Sequence, residues 1–185
     1  MREGAQKNRE LKVANETVER LARTDALTGL ANRRTLFEGL QREIARADRS
    51  AERLSVIMAD LDHFKSINDL YGHGTGDLVL GRAAAVFGSQ LRPYDLAARY
   101  GGEEFVLLLP GAPTDAAIAV AERIRKDVAE IKIPECPRQI TVSLGVASWM
   151  TGEAAEGFVA RADAALYNAK RTGRNRVEAA SDIQV

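Results

Sequence analysis

Residues 97–110, "AARYGGEEFVLLLP", place two glycines and two glutamates between two apolar segments. The segments on either side are typical of β-strands, so Gly101 and Gly102 predict a hairpin with a two-residue turn. A turn of this kind does not require adjacent carboxylates. Because Glu103 and Glu104 stand where the second strand begins, their negative charge indicates a role beyond the turn.

The length and composition indicate one globular domain. The chain has 185 residues, of which 45% are hydrophobic and 28% are charged, an ordinary composition for a protein that buries a core. Basic and acidic residues number 26 each, so no overall field favours nucleic acid or an anionic membrane. No apolar run has the length of a membrane span, and no signal peptide is recognisable. We therefore expect a cytoplasmic domain with no nucleic-acid or membrane partner in this fragment, which is compatible with a membrane anchor upstream.

Residues 1–24 form a polar segment that favours a helix. Leu11, Ala14, Val18 and Leu21 follow alternating spacings of three and four, as in a coiled-coil seam, but over few heptads. One interpretation is a solvated helix that lies against its own domain. The other, which we favour, is a signalling connector that forms a homodimer and links the domain to an upstream sensor or receiver module absent from this sequence.

The remaining chain divides into a domain at 25–180 and a tail at 181–185. Periodicity predicts helices at 33–49, 77–91, 113–131 and 154–173, with a short helix and a loop at 63–77. Apolar runs predict strands at 54–62, on both sides of Gly101 and Gly102, at 138–148 and at 175–180. A hairpin inside otherwise alternating elements indicates an α+β fold, with a central mixed, mainly antiparallel five-stranded sheet flanked by helices.

Acidic residues lie at the ends of two predicted strands. Asp60 and Asp62 end one strand, and Glu103 and Glu104 begin another. If these strands are neighbours, the carboxylates meet at one edge of the sheet, where their repulsion requires a compensating cation. With one cysteine and two histidines in the chain, hard oxygen ligands favour Mg²⁺ or Mn²⁺ over zinc. The alternative is that the acids are solvated or are paired with arginines, for which the candidates are Arg34 and Arg99.

Four segments resemble the hallmark motifs of the GGDEF-domain diguanylate cyclases. They are "DALTGLANRR" (25–34), "MADLDHFKSINDLYGHGTGD" (58–77), "RYGGEEF" (99–105, the GGEEF form) and "ADAALYNAKRTGRNRV" (162–177). They follow the family's order over the whole globular part of the chain. The resemblance implies a sheet of the nucleotidyl cyclase or polymerase-palm type. It also implies an enzyme that joins two GTP molecules into cyclic di-GMP and releases two pyrophosphates.

The resemblance also assigns the metal ligands. Asp60, the Leu61 carbonyl and Glu103 would coordinate two Mg²⁺ or Mn²⁺ ions in each domain, which carries one half of the complete site. Glu103 would help to deprotonate the attacking 3′-hydroxyl, and a metal-activated route is the alternative. Glu104 is given a supporting catalytic role, because strand alternation points it away from Glu103.

Three residues would bind the nucleoside by the same resemblance. Asn68 and Asp77 correspond to the pair that reads guanine, and His73 corresponds to a position that contacts the substrate. The carboxylate of Asp77 suits the N–H groups of guanine, and adenine would leave it unpaired. The alternatives are helix capping for Asp77 and local packing in a loop for His73.

Basic residues and backbone N–H groups would bind the triphosphate. The family pattern places the backbone of His63, Phe64 and Lys65 at the phosphates, with the Lys65 charge beside them. Lys170 and Arg174 would reach the β- and γ-phosphates. The alternative is that these two residues complement the dipole at the end of a helix.

The family site is half of a site, which gives the first 24 residues a purpose. Each domain binds one GTP, so two domains must face each other for each 3′-hydroxyl to attack the partner's α-phosphate.

The segment "RPYD" matches the family's RxxD site for inhibition by the product. The residues of this site would be Arg92, Asp95 and, on the next helix, Arg123. The alternative for Arg92 and Asp95 is an ordinary surface ion pair.

Two other functions compete with an active, product-inhibited cyclase. A degenerate GGDEF module would bind GTP or cyclic di-GMP and signal without turnover, although the metal and guanine positions match the family pattern. A purely helical interaction protein would leave unexplained the glycines and acids of 60–77 and 101–104. Incubation with GTP and Mg²⁺ distinguishes the three.

Overall fold

Five helices and five strands make up the described part of the chain, residues 23–181 of a computed structural model. The helices are α1 (Arg33–Ser50), α2 (Phe64–Tyr71), α3 (His73–Ser89), α4 (Thr114–Ala129) and α5 (Ala155–Arg171). The strands are β1 (Leu54–Leu61), β2 (Leu96–Arg99), β3 (Glu104–Pro110), β4 (Val142–Ser148) and β5 (Val177–Ala179). The predicted connector, residues 1–24, lies outside the described residues except for its last two.

The strands form one sheet in the order β2-β3-β1-β4-β5. β1 runs antiparallel to β3 and β4, β2 runs antiparallel to β3, and only β4 and β5 pair in parallel. The predicted mixed, mainly antiparallel five-stranded sheet is therefore confirmed. In the register of β1 and β3, Asp60 stands opposite Glu104, so the condition that the two acidic strand ends are neighbours is met.

Helices cover both faces of the sheet, so every residue of β1 is buried. On one face α2, α3 and α4 enclose a core that includes Phe87 and Phe105, with ring centroids 4.6 Å apart. On the other face α1 and α5 pack through Leu36 and Phe158. Within residues 23–181, no helix has the length and apolar character that crossing a bilayer requires.

The close packing of α5 on the sheet depends on Gly145 of β4. A Cβ atom at this position would lie 2.9 Å from the carbonyl carbon of Ala165 and closer still to backbone atoms of Ala162 and Leu166. Because backbone atoms cannot move aside as a flexible side chain can, the glycine sets the distance between α5 and β4. That distance places the C-terminal end of α5 beside the acidic end of β1.

Helix α3 begins four residues earlier than predicted. The helix starts at His73, directly after Gly72. Gly72 has a φ of 86°, which is not helical and so separates α3 from α2. The predicted loop was inferred from glycines, but Gly74 and Gly76 lie within the helix. The capping alternative for Asp77 is therefore wrong, since Asp77 lies beyond the first turn.

The connection between β2 and β3 has four residues, 100–103, so the predicted two-residue turn is wrong. The N–H groups of Tyr100 and Gly101 both donate to the carbonyl of Glu104, at 2.8 and 3.3 Å. Neither Gly101 nor Gly102 has a positive φ, so a turn of the primed type is not formed. The longer loop places Glu103 before the strand, at the edge of the sheet.

Candidate active site

Asp60 and Glu103 meet where β1 ends and β3 begins. The N–H of Leu61 donates to the carbonyl of Glu103 at 3.3 Å, which joins the two backbones at this point. The carboxylate of Asp60 is buried, and its Oδ2 lies 2.8 Å from Nζ of Lys170, near the end of α5. A lysine from a distant helix is thus the cationic partner of Asp60.

The arginines considered as alternative partners pair elsewhere. Arg34 contacts Glu38 at 3.0 Å on the exposed face of α1. Arg99 contacts Asp25 at 3.2 Å. The alternative in which these arginines neutralise the strand-end acids is therefore wrong.

One lysine does not neutralise this group of acids. Burial raises the pKa of Asp60 from 3.8 to about 6; Lys170 opposes the rise, and the charges of Glu103 and Glu104 add to it. An aspartate that resists ionisation beside two further carboxylates favours an additional cation, and its oxygen atoms suit Mg²⁺. Within residues 23–181, no three acidic, histidine or cysteine side chains gather as a metal site. The expected ligand set has two carboxylates and one carbonyl, so it does not require such a group.

Asp62, which resembles Asp60 in the sequence, has a different environment. Its buried carboxylate accepts hydrogen bonds from Thr141 Oγ1 at 2.8 Å, Ser143 Oγ at 2.7 Å and the N–H of Asn175 at 3.0 Å. These donors come from the start of β4 and from the turn after α5. Asp62 therefore ties the turn that carries Arg174 to the sheet, a role that the sequence analysis missed.

We call the place where Asp60 and Glu103 meet the acidic edge. A cavity of about 470 Å³ opens beside it, between α2, α3 and the loop at 100–103. Six of the predicted site residues line it together with Leu80, Arg99 and Gly102: Phe64, Lys65, Asn68, His73, Asp77 and Glu103. The tight junction at Gly72 brings α2 and α3 side by side, which is why Asn68 and Asp77 reach the same cavity. Their grouping agrees with the expected nucleoside site.

Three other residues predicted to bind phosphate, His63, Lys170 and Arg174, are not part of the lining of this cavity. His63 is exposed at the N-cap of α2 with a φ of 57°. Lys170 lies at the end of α5 and contacts Asp60. Arg174 is exposed in the turn after α5, where its φ is 63°.

Arg99 holds the glycine loop in place and was not predicted as a site residue. Its Nε and Nη2 donate to the carbonyl of Gly102 at 3.1 and 2.8 Å, while Nη1 donates to Asp25. Burial raises the pKa of Asp25, but hydrogen bonds from Thr28 and the Arg99 charge outweigh it and hold that pKa below 3.8. The signal for this role was the position of Arg99 directly before the Tyr-Gly-Gly sequence.

Glu103 and Glu104 face different cavities. Glu103 lines the cavity between α2 and α3, whereas Glu104 lines one of about 360 Å³ against α1 and α5, with Arg33 and Tyr100. The predicted divergence of the two side chains is confirmed. Gly101 makes room for Glu104, since a Cβ atom there would lie 2.7 Å from Oε2 of that glutamate.

Of the three residues expected to bind the product, Arg92 and Asp95 lie just before β2 and Arg123 lies on α4. Oδ2 of Asp95 accepts from the backbone N–H of Arg92 at 2.8 Å, and the N–H of Asp95 donates to the Arg92 carbonyl at 3.0 Å. Nε of Arg123 donates to Gln90 at 3.0 Å. Within residues 23–181, the guanidinium of Arg92 and the carboxylate of Asp95 do not form an ion pair with each other. The alternative of an ordinary surface ion pair is therefore wrong.

Known proteins are similar to the chain in sequence and in overall fold. Residues 22–176 match the family described as "Diguanylate cyclase, GGDEF domain". The chain is 46% identical over 175 residues to the diguanylate cyclase DgcM of Escherichia coli K12, which covers 92% of this chain and 42% of that protein. The chain thus spans less than half the length of this curated relative.

Two solved structures are similar in fold and in sequence. The coiled coil and GGDEF domain of DgcB from Caulobacter crescentus, in complex with c-di-GMP, has a TM-score of 0.90 and 39% identity, covering 96% of each chain. The active GGEEF domain of a diguanylate cyclase from Vibrio cholerae has a TM-score of 0.79 and 39% identity. That alignment covers 83% of this chain and 99% of the Vibrio domain.

Proposed function

The chain belongs to the GGDEF-domain family of diguanylate cyclases, and on that premise we propose that it condenses two GTP molecules into cyclic di-GMP and two pyrophosphates. The observation that carries the proposal is the acidic edge of Asp60 and Glu103, which adjoins a cavity containing Asn68 and Asp77. The acids suit a metal-bound triphosphate, and the cavity suits a purine nucleoside. The GGEEF sequence is also present in the similar Vibrio cholerae domain whose description calls it active.

Asp60, the Leu61 carbonyl and Glu103 would hold two Mg²⁺ or Mn²⁺ ions. The fit rests on the raised pKa of Asp60 and on the hard oxygen donors of all three groups. When bound, the cations neutralise phosphate charge and polarise the α-phosphate. Lys170 can exchange its contact with Asp60 for one with the triphosphate, because its side chain is one-third exposed.

Asn68 and Asp77 would select guanine. The exposed carboxylate of Asp77 can accept from guanine N1–H and N2–H₂, and the amide of Asn68 can meet another polar atom of the base. Adenine presents no such pair of donors to Asp77 and would bind less well. His73 lines the same cavity, where it would contact the base or the ribose.

The triphosphate would bind along the N-terminal end of α2 and the end of α5. The backbone of His63 and Phe64, with the side chain of Lys65, would contact it from one side. Lys170 and Arg174 would supply positive charge from the other. Catalysis then depends on holding the α-phosphate in position and on compensating its charge.

Each condensation step forms a bond between a 3′-oxygen and an α-phosphorus and breaks the bond from that phosphorus to pyrophosphate. The attacking 3′-hydroxyl loses its proton, for which Glu103 is the proposed acceptor. Glu104 supports the site from the opposite side of the strand. Two such steps, one from each nucleotide, close the ring of cyclic di-GMP.

Two domains are required, because each binds one GTP. We assign the pairing to a homodimer formed through residues 1–24, which connect to an upstream sensor or receiver module. The similar DgcB chain is described with a coiled coil, which supports a helical connector in this position. The proposed location is the cytoplasm, where GTP is available.

Arg92, Asp95 and Arg123 would form a second site at which the product inhibits the enzyme. The turn from Arg92 to Asp95 is held by the backbone N–H and carbonyl of Arg92, so the guanidinium of Arg92 is not committed to Asp95. A guanidinium can bind the O6 and N7 edge of guanine or a phosphate. DgcB is described in complex with c-di-GMP, which supports binding of this ligand by a similar chain.

Incubation of the protein with GTP and Mg²⁺, followed by chromatography and mass spectrometry, tests the proposal. We expect cyclic di-GMP in the wild type and a large loss of product in Glu103→Gln. Binding of GTP without any product would instead support a module that binds the nucleotide and signals without turnover.

A further inference from the structure

Gly76 lies buried in α3 and packs against the side chain of Asn68 of α2. A Cβ atom at this position would lie 3.0 Å from Cγ of Asn68 and 3.2 Å from Cζ of Phe64, and it would overlap with Oδ1 of Asn68. The amide of Asn68 therefore occupies the space that any other residue at position 76 would fill.

The amide of Asn68 has little else to hold it on this side. Its Oδ1 is buried and has no hydrogen-bond partner among residues 23–181. A buried acceptor without a partner is unfavourable and needs an explanation. Here the oxygen rests against the bare backbone of Gly76, so the position of the amide is set by packing rather than by a hydrogen bond.

Gly76 is not required by the backbone conformation. It lies inside a helix and does not have a positive φ, and glycine is among the least favourable residues in a helix interior. Gly81 in the same helix has open space, with nothing within 4 Å of a Cβ atom. A side chain at position 76 would therefore meet Asn68 and Phe64, whereas a side chain at position 81 would meet open space.

We propose that Gly76 is a positioning residue for guanine recognition: the absence of its side chain allows Asn68 to place its amide in the cavity beside Asp77. The proposal rests on the proposed function, since it assigns base recognition to Asn68. A methyl group at position 76 pushes the amide out of its place. Because that amide is the end of a flexible side chain, the movement perturbs binding more than folding.

Gly76→Ala, with Gly81→Ala as the matched control, tests the proposal. Thermal unfolding should show both variants folded and as stable as the wild type or more stable, because alanine favours the helix. The affinity for a GTP analogue with a methylene bridge between the α- and β-phosphates should fall roughly 3- to 10-fold in Gly76→Ala, as for one lost hydrogen bond. The preference for GTP over ATP should narrow in Gly76→Ala alone, and KM should change more than kcat.

A double-mutant cycle separates this mechanism from a general effect on packing. In the Asn68→Ala background, Gly76→Ala should have no further effect on nucleotide affinity, because its action passes through Asn68. Unchanged affinity in Gly76→Ala, or an equal loss in the Asn68→Ala background, would overturn the proposal. If the wild type binds the analogue but makes no cyclic di-GMP, the proposed function fails while the binding cycle still decides the role of Gly76.

Discussion

Replacement of Asp60 by asparagine should make the unliganded protein more stable at alkaline pH although it removes activity. The pKa of Asp60 is raised from 3.8 to about 6, mainly by burial, so its ionised form is unfavourable in the folded state. A shift of this size corresponds to about 3 kcal/mol between the two protonation states. An asparagine at this position would keep the shape of the side chain without the charge.

The sign of the pH dependence follows from the direction of the shift. Since the folded pKa is the higher one, the contribution of Asp60 to stability is fully present below about pH 4 and is lost as the pH rises through about 6. The free energy of unfolding of Asp60→Asn, relative to the wild type, should therefore rise by about 3 kcal/mol between about pH 4 and about pH 8. Urea denaturation in buffers without metal or nucleotide measures this difference.

Asp62→Asn is the matched control, because Asp62 is equally buried and lies two residues away. Its carboxylate accepts three hydrogen bonds, so the amide should lower the free energy of unfolding by about 1–3 kcal/mol. A difference between Asp60→Asn and the wild type that does not grow with pH would refute the electrostatic reasoning. Added Mg²⁺ should stabilise the wild type more than Asp60→Asn.

Four further changes test other parts of the molecule. Gly145→Ala should lower the free energy of unfolding by about 1–3 kcal/mol or more, because its Cβ meets the α5 backbone, whereas Gly81→Ala should not; urea denaturation compares them. Arg99→Lys should reduce kcat with a smaller change in melting temperature, since an ammonium cannot reproduce the fork that holds Gly102 and Asp25; an unchanged kcat would argue against that role. Arg92→Ala should relieve inhibition by cyclic di-GMP while initial turnover stays intact, and unchanged inhibition in progress curves would exclude the RxxD site. A truncation that begins at Thr24 should lose specific activity on dilution, and equal activity at every concentration would reject dimerisation through residues 1–24.

The fold follows from local sequence patterns, which predict a buried strand that ends in Asp60 and a hairpin that carries Glu103. These patterns do not decide whether the two acidic strands are neighbours; the structure pairs them. The patterns are strong here because strand length and apolar content agree.

The details that escaped prediction depend on tertiary packing. Gly72, Gly74 and Gly76 are typical of a loop, yet Gly74 and Gly76 lie in α3. A Cβ atom at position 76 would meet Asn68 of the neighbouring helix, whereas one at position 74 would meet nothing within 4 Å. Asp60 and Asp62 look alike in the sequence, and only the positions of β4 and α5 separate them. Local propensity contains no information about partners so distant in the chain.

Quantification of both products from GTP and Mg²⁺ tests the central claim most directly. The wild type should yield two pyrophosphates for each cyclic di-GMP, and Glu103→Gln should bind GTP but yield neither product at a comparable rate. Wild-type protein that binds GTP yet forms no cyclic di-GMP, at concentrations where it is dimeric, would contradict the account.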